Sequence, residues 1–593
     1  MIFRFAAYCC VFVFVAGCSS APKMQENNKK NSPSHVKNVK AQTPIVLEKM
    51  DVQFLYLSAQ QALHQGQPTL AVRFLKALVK KEPDAVTPRF ELVDLLLAGG
   101  QKKKSEAKSY IEAMPEAVRT QLVDDEALQY QQLYARSLIA NGDIEQASVI
   151  LEDLLSEKPE RIEIRLLLAR LYAINQSYSL AQRIIEQGIA LSKDKRLQQL
   201  QVQLYLQQGA FKNADTTLAT MQRDYPEHED IVLQRAHLAE KQGSGIKAEA
   251  LLQLFIDTHE DTAVQSYQML AGIYVRQNRV SAAIAVYEKL VPLTAADADV
   301  LVSLGKLHYQ QQDFPEARDY FKQATTQLTM QGANNKMGER LAVATFYYGA
   351  SLEASHQWKL ATPEYEKLLT EHSLYLDAQL RLASIAITLK EYKDAEQRLL
   401  RLKRSYPHEM EVYESLSGLR LQQKRYQDVI RESDKAVDLG FSQTLLFNRA
   451  VSFEKLGQFE ALDGALEQIL NRFPNDAEAL NFYGYSLAER DIRLEDARRM
   501  VEKALTTRPN DGYYLDSLAW VFYKQRMYDK ALEVQLKAVS TVPSDSVMLE
   551  HLGDIYWQQG EAEQAKASWQ KAIEMNHEHP QSLEQKINQG LLK

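Results

Sequence analysis

A 34-residue register runs through nearly the whole chain and constrains its fold more than any other feature. The last clear repeat reads LEHLGDIYWQQGEAEQAKASWQKAI, with Leu552-Gly553, Tyr556, Ala565, Trp569 and Ala572 at set intervals. Thirty-four residues earlier stand Leu518-Ala519, Phe522, Ala531, Gln535 and Ala538, followed by Pro543. Apolar residues recur at helical spacing, so each repeat predicts two helices, A and B. Small residues at the eighth and twentieth positions let helices A and B touch closely. Large apolar residues fill the gaps between repeats, and proline closes the turn into the next one.

Fifteen such repeats can be placed from Asp51 onward. Their eighth positions are Ala59, Val93, Ala135, Ala169, Val202, Ala236, Ala271, Gly305, Gly349, Ala383, Ser417, Ala450, Gly484, Ala519 and Gly553. Alanine fills eleven of the twentieth positions: Ala71, Ala147, Ala181, Ala214, Ala248, Ala283, Ala317, Ala361, Ala395, Ala531 and Ala565. Ordinary composition does not supply alanine at that density. The spacing resembles the tetratricopeptide repeat, whose period is 34. That resemblance implies an all-α superhelical solenoid of about fifteen helix pairs. The second repeat, near Phe90 to Glu112, is degenerate, and Ala497 sits one place late. Two spacings break the period: Val93 to Ala135 is 42 and Gly305 to Gly349 is 44. The second break holds TQLTMQGANNKMGER, read as a longer loop or an extended helix and loop. It divides the expectation into an N-terminal stack over 47–325, an insertion or hinge at 326–340 and a C-terminal stack over 341–580. Past Pro580, Leu583, Ile587 and Leu591 recur every four residues. They predict a short amphipathic helix within 581–593 that covers the open end of the last repeat, as solenoids require.

The chain opens MIFRFAAYCCVFVFVAGCSSAPK. Arg4 precedes an apolar run from Phe5 to Gly17, well short of the roughly 20 residues that span a bilayer. The pattern is that of a secretory signal. Val15-Ala16-Gly17-Cys18 also resembles the lipobox of bacterial lipoproteins. That resemblance implies removal of residues 1–17 and lipidation of Cys18. Ser19 in place of aspartate implies sorting to the outer membrane, facing the periplasm. The alternative is an ordinary signal peptide with an incidental cysteine. The chain's three cysteines are Cys9, Cys10 and Cys18. Cleavage there leaves Cys18 alone, and acylated, so no thiol nucleophile, disulfide or cysteine-metal site is expected. Residues 18–46 are polar, with five lysines and three prolines. They read as a disordered tether with an r.m.s. reach of roughly 30 Å.

A net charge of −7 over 593 residues leaves no basic stripe of the kind nucleic acid needs. No phosphate loop, nucleophile elbow or His-Glu-x-x-His pattern occurs. His577-Glu578-His579 is the sole histidine cluster and lacks a clear third ligand. The expectation is a protein without catalytic residues, metal, cofactor or small-molecule substrate, whose partners are proteins and, through its lipid, a membrane.

In tetratricopeptide repeats the second, fifth, ninth and twelfth positions line the inner groove. In the last three repeats these positions include Asn481, Tyr485, Tyr513, Asp516, Trp520, Tyr523, Glu550, Asp554 and Trp557. Aromatic anchors ringed by polar groups suit a protein-binding surface; packing between neighbouring helices A is the competing role. The stretch AEALNFYGYSLAERDIRLEDARRMVEKALTTRPNDGYYLDSLAWVFYK resembles long tetratricopeptide lipoproteins of the bacterial outer membrane. Gly484-Tyr485-Ser486-Leu487-Ala488 and Leu515-Asp516-Ser517-Leu518-Ala519-Trp520 carry the likeness, with Ala519 where the relatives usually have glycine. That group includes the lipoprotein partner of a carboxyl-terminal processing protease. The resemblance implies an adaptor that binds a periplasmic serine protease and its substrates, peptidoglycan hydrolases. An assembly scaffold for export, pili or outer-membrane insertion is the alternative, and the repeats alone do not separate the two.

Overall fold

The computed structural model describes residues 47–332 and 335–591; Cys18 and the tether lie outside them. Among the described residues there are no strands. Thirty helices pair in sequence into fifteen A–B hairpins, from Val52–His64 with Pro68–Lys81 to Ser546–Gln558 with Ala562–Glu574. Two further helices stand apart, the one-turn Glu116–Arg119 and the C-terminal Pro580–Gln589. The all-α tetratricopeptide solenoid expected from the register is the fold observed.

The eighth- and twentieth-position contacts account for the hairpins. Every alanine predicted at the twentieth position is buried, as are all fifteen eighth-position residues. Where alanine is missing from the twentieth position, Val429 and Leu462 take the slot and are also buried. In the degenerate second repeat Ala107 does so, two residues further along.

A size rule couples the eighth position to helix B. Where the eighth residue is glycine, the side chain sixteen residues on is often a large aromatic. A Cβ on Gly305 would stand 2.8 Å from the Phe321 ring, on Gly349 3.1 Å from Tyr365, and on Gly553 2.4 Å from Trp569. Where the eighth residue is alanine, the residue sixteen places on is Leu75, Leu151, Ile185, Leu252, Leu399 or Leu466, with Tyr287 after Ala271 and Gln535 after Ala519 as the exceptions. Close packing of this kind leaves no room for an added methyl group.

The turns between repeats are tied by side chains from the following helix A. Arg165 donates to the Pro159 carbonyl at 2.8 and 3.0 Å. Arg89 does the same to Pro83 at 2.6 Å, and the Tyr413 hydroxyl to Pro407 at 2.9 Å. These bonds satisfy backbone carbonyls of the turns just beyond the helix ends.

Internal packing divides the chain into two compact units, up to Val300 and from Leu301 onward. The first holds seven complete hairpins. In the second, the long 44-residue spacing is taken up by lengthened helices, Phe314–Met330 and Asn335–Ala354. Helix Pro580–Gln589 closes the last repeat: Leu583 is buried in the cluster that holds Trp569, with Ile587 and Leu591 against it. Gly590 then turns with φ +74°, and the Trp557 ring fills the space a Cβ would need.

Gly553→Ala should therefore lower the urea midpoint of the C-terminal repeats, by about 1–3 kcal/mol of stability from overpacking. Gly464→Ala, in a helix interior with nothing within 4 Å of its Cβ site, should raise it by about 0.5–1 kcal/mol. Equilibrium urea titrations followed by far-UV circular dichroism check both signs.

Candidate functional site

The last three helices A, Ala477–Glu489, Gly512–Lys524 and Ser546–Gln558, carry the nine predicted groove residues. Each begins at an aspartate whose carboxylate accepts backbone N–H groups: Asp476 from Ala479, Asp511 from Tyr513 and Tyr514, Asp545 from Val547 and Met548. These N-caps hold the helices in one register, so equivalent positions face the same side.

At the centre is an aromatic stack. The Trp520 ring lies between Tyr523, with centroids 4.6 Å apart and planes 6° apart, and His551, at 4.1 Å and 17°. Tyr485 stands 6.4 Å from His551. The Trp520 indole N–H donates to Glu489. His551 Nδ1 lies 3.0 and 3.2 Å from the two oxygens of Asp516, whose side chain is fully buried. Gln535, on helix Tyr528–Thr541, donates to Asp516 Oδ1 at 2.6 Å and to the Met548 carbonyl at 2.8 Å. One buried network thus joins the fourteenth and fifteenth repeats.

Burial works against charge on His551, but the Asp516 carboxylate outweighs it and the imidazole pKa is held above its ordinary value. Burial, reinforced by the charges of Glu489, Asp516, Glu454 and Glu550, pushes the Tyr485 hydroxyl well up. Burial also lifts Tyr523, to about 12.

A second cluster lies against the C-terminal helix. Lys586 Nζ donates to Glu550 at 2.7 Å and to both oxygens of Asp554 at 2.7 Å. Asp554 also accepts the Trp569 indole N–H at 2.9 Å, and His577 Nε2 lies 2.9 Å from Glu550. Burial raises the Asp554 carboxyl against the pull of Lys586. Burial presses the same way on Glu550, but Lys586 prevails and its pKa is lowered.

The nine residues therefore divide. Asp516, Trp520 and Tyr523 gather with His551, and Tyr485 borders them. Glu550 and Asp554 are held by Lys586. Trp557 packs on Trp569, centroids 5.7 Å apart, and under Gly590. Tyr513 packs with Leu480 and Tyr514, away from the stack. Asn481 is half-buried, and its Oδ1 has no hydrogen-bond partner. Trp520, only 8% exposed, acts in packing between repeats, as do Asp516 and Asp554.

The sequence pattern marks neither His551 nor Gln535 as a site residue, although Gln535 occupies a repeat position. Gln535 sits sixteen residues after Ala519, in a slot that most repeats fill with a large apolar side chain; a polar residue there is the signal. Further acids were also missed. On the same inner positions of earlier helices A, burial raises the carboxyls of Glu353, Asp377, Glu414 and Glu454. Glu353 accepts the Tyr365 hydroxyl at 2.7 Å, with Arg381 at 3.7 Å. Glu414 accepts the Ser442 hydroxyl at 2.6 Å, and Lys455 stands 3.5 Å from Glu454. The helix A face of this unit is acidic over most of its repeats. Among the described residues no cluster of three or more His, Cys, Asp or Glu is placed to hold a metal ion, and no helix is long and apolar enough to cross a membrane.

Comparison with known proteins agrees with the geometry. Tetratricopeptide repeat profiles match residues 138–204, 269–333, 444–476 and 548–579. A TPR repeat-containing protein of Pseudomonas aeruginosa is 30% identical over 187 residues, which is 31% of this chain and 31% of that protein. Among solved structures, the chain overlaps the APC/C hetero-tetramer Cut9-Hcn1 at TM-score 0.33 and 13% identity, over 92% of this chain and 97% of that one. It overlaps yeast Tom70 at 0.32 and 14%, over 74% and 94%. A tetratricopeptide repeat protein of Parabacteroides merdae gives 0.27 and 18%, over 49% and 98%. Scores this low say nothing about this chain's partners.

Because its folded pKa is raised, His551 contributes stability that is complete below its unfolded pKa of about 6.5 and is lost as pH rises through the folded value. The denaturation midpoint of the C-terminal repeats should fall across that interval, and His551→Asn should flatten the fall; urea melts from pH 6 upward read it. Trp520→Ala should destabilise the same repeats by about 3–5 kcal/mol, seen as loss of near-UV circular dichroism at lower urea.

Proposed function

We propose that this chain of tetratricopeptide repeats is a non-catalytic adaptor. On this reading it is anchored through lipidated Cys18 to the outer membrane and brings peptidoglycan hydrolases to a periplasmic carboxyl-terminal processing protease. Tetratricopeptide repeats indicate a protein-interaction scaffold, and the families matched are repeat families. The observation that supports the finer reading is the acidic helix A face of the second compact unit. It includes the segment Ala477–Lys524, whose sequence resembles the adaptor lipoproteins. Holding protease and substrate on one scaffold raises their effective concentration for each other, which needs no reacting group from the scaffold.

Carboxylates along this face favour a basic docking surface on the partner. Such an interaction strengthens as ionic strength falls, and it fixes orientation and on-rate more than affinity. Membrane capture of the lipidated chain, followed by mass spectrometry, should recover a serine protease with wall hydrolases. Recovery of a β-barrel assembly component in their place would transfer the reading to an envelope assembly scaffold. Cys18→Ser should move the chain from the membrane fraction to the soluble periplasm or leave it uncleaved, as fractionation and the mass of its N-terminus will show.

A further inference from the structure

Helices B of the first compact unit are unevenly charged. Helix Pro68–Lys81, in the first repeat, carries Arg73, Lys76, Lys80 and Lys81 and no acid. Helix Gln101–Glu112, in the second, carries four lysines against two acids. The corresponding helix of the third repeat, Ile144–Glu157, reverses the sign, with four acids and no cation. The first two helices are neighbours: Lys76 bonds to Glu106 and lies 5.6 Å from the centre of the Tyr110 ring. Arg73, Lys76 and Lys80 fall on one stripe of their helix, opposite the buried Leu75 and Leu78. Both acids of Gln101–Glu112 are engaged, Glu106 by Lys76 and Glu112 by the Tyr134 hydroxyl at 3.3 Å. Arg73, Lys102, Lys103 and Lys104 make no side-chain hydrogen bond or ion pair among the described residues. Arg73 and Lys102 are exposed, and Lys103 and Lys104 half-buried.

We propose that this basic face rests on the anionic phospholipid headgroups of a bilayer. The chain preceding the described residues favours that partner. Residues 19–46 carry five lysines against one acid, Glu26, and join the first repeat at Leu47. Positive charge thus continues from that segment onto the fold. The N-terminal turn is held against the same helix B: Glu48 stands 3.7 Å from Lys80, and the Met50 carbonyl accepts from Lys81 Nζ at 2.6 Å. Just beyond that turn Phe54 and Leu57 are 54% and 66% exposed. Phe54 holds the third position of its repeat. In later repeats Ile164, Leu197 and Ile231 hold that position and are fully buried; no described repeat precedes Phe54. Apolar side chains beside lysines suit a membrane interface, where the rings enter the headgroup boundary and the ammonium groups stay with the phosphates. Lysine is a point charge on a flexible stem. A row of lysines therefore fits a fluid array of phosphates without needing a fixed shape opposite. The whole chain is net negative, at −7, so attraction to an anionic surface has to come from a local patch. This extends the adaptor reading and does not rest on it, because the charge acts with or without an acyl group.

The test is cosedimentation of the chain from Ser19 onward, which keeps every described helix and has no acyl group. The vesicles are phosphatidylcholine with about a third of the lipid replaced by phosphatidylglycerol. The chain should bind these vesicles and not vesicles of phosphatidylcholine alone. Binding should fall about tenfold or more from low to high salt, since charges at an exposed surface are screened. Arg73→Gln, Lys102→Gln and Lys104→Gln together should weaken it about tenfold or more with helicity unchanged. Lys393→Gln, Arg401→Gln and Arg404→Gln remove as many exposed cations from helix Tyr392–Ser405 of the second unit. That variant should bind like the unaltered chain. Equal loss in the two variants would overturn the proposal, because net charge alone would then set the binding. Full binding by the first variant, with loss only when the five lysines of residues 19–46 become glutamine, would also overturn it. So would equal binding, or none, to the two kinds of vesicle. Protease recovery in the capture experiment is unaffected by any of these results.

Discussion

Everything else in the structure depends on how closely helix A can approach helix B. The small residues at the eighth and twentieth positions set that distance, and buried alanine at the twentieth position in eleven repeats keeps it uniform. Where the eighth residue shrinks to glycine, the vacated volume is filled from helix B by Phe321, Tyr365 or Trp569. In these three hairpins a small eighth residue is matched by a large side chain sixteen residues on. A constant hairpin is what lets one repeat stack on the next and keeps equivalent helix A positions on one face.

The helix A positions of the two compact units differ in their chemistry. In the second, carboxylates and aromatic rings accumulate on helices A. Several are drawn far enough out of water to bond between stacked elements: Asp516 with His551, and Glu550 and Asp554 with Lys586. Buried polar groups of this kind are tolerated only when paired, and each of these pairs joins two stacked elements. In the first unit, Gln234, Gln265 and Gln268 beside Leu206, Leu233 and Met269 occupy the corresponding helices. One backbone plan thus carries two different sets of side chains, because the inner positions are free of the volume constraint that governs the eighth and twentieth.

The pairing of helices, the number of repeats and the position of the terminal helix were legible in the chain, since they follow from the spacing of Ala, Gly and large apolar residues along it. The inner positions were legible too, as positions. Their exposure was not. Trp520 looks like a groove anchor when only its own helix is considered. In the fold His551, from the next repeat, lies against one face of its ring and Tyr523 against the other. Gln535 could have been singled out by its place in an apolar slot; His551 had no such mark.

The sequence by itself determined the hairpin, because helical periodicity and small-residue contacts act within some twenty consecutive residues. It also carries the N-terminal pattern around Cys18, on which the proposed anchoring rests. Tertiary structure alone decided which side chains remain open to a partner. That depends on neighbours about 34 residues away, which meet only when repeats stack: Glu489 reaches Trp520, and Lys586 reaches Asp554. Desolvation is a property of the stack, so the raised carboxyls of Glu353, Asp377, Glu414 and Glu454 could not be read from any single repeat.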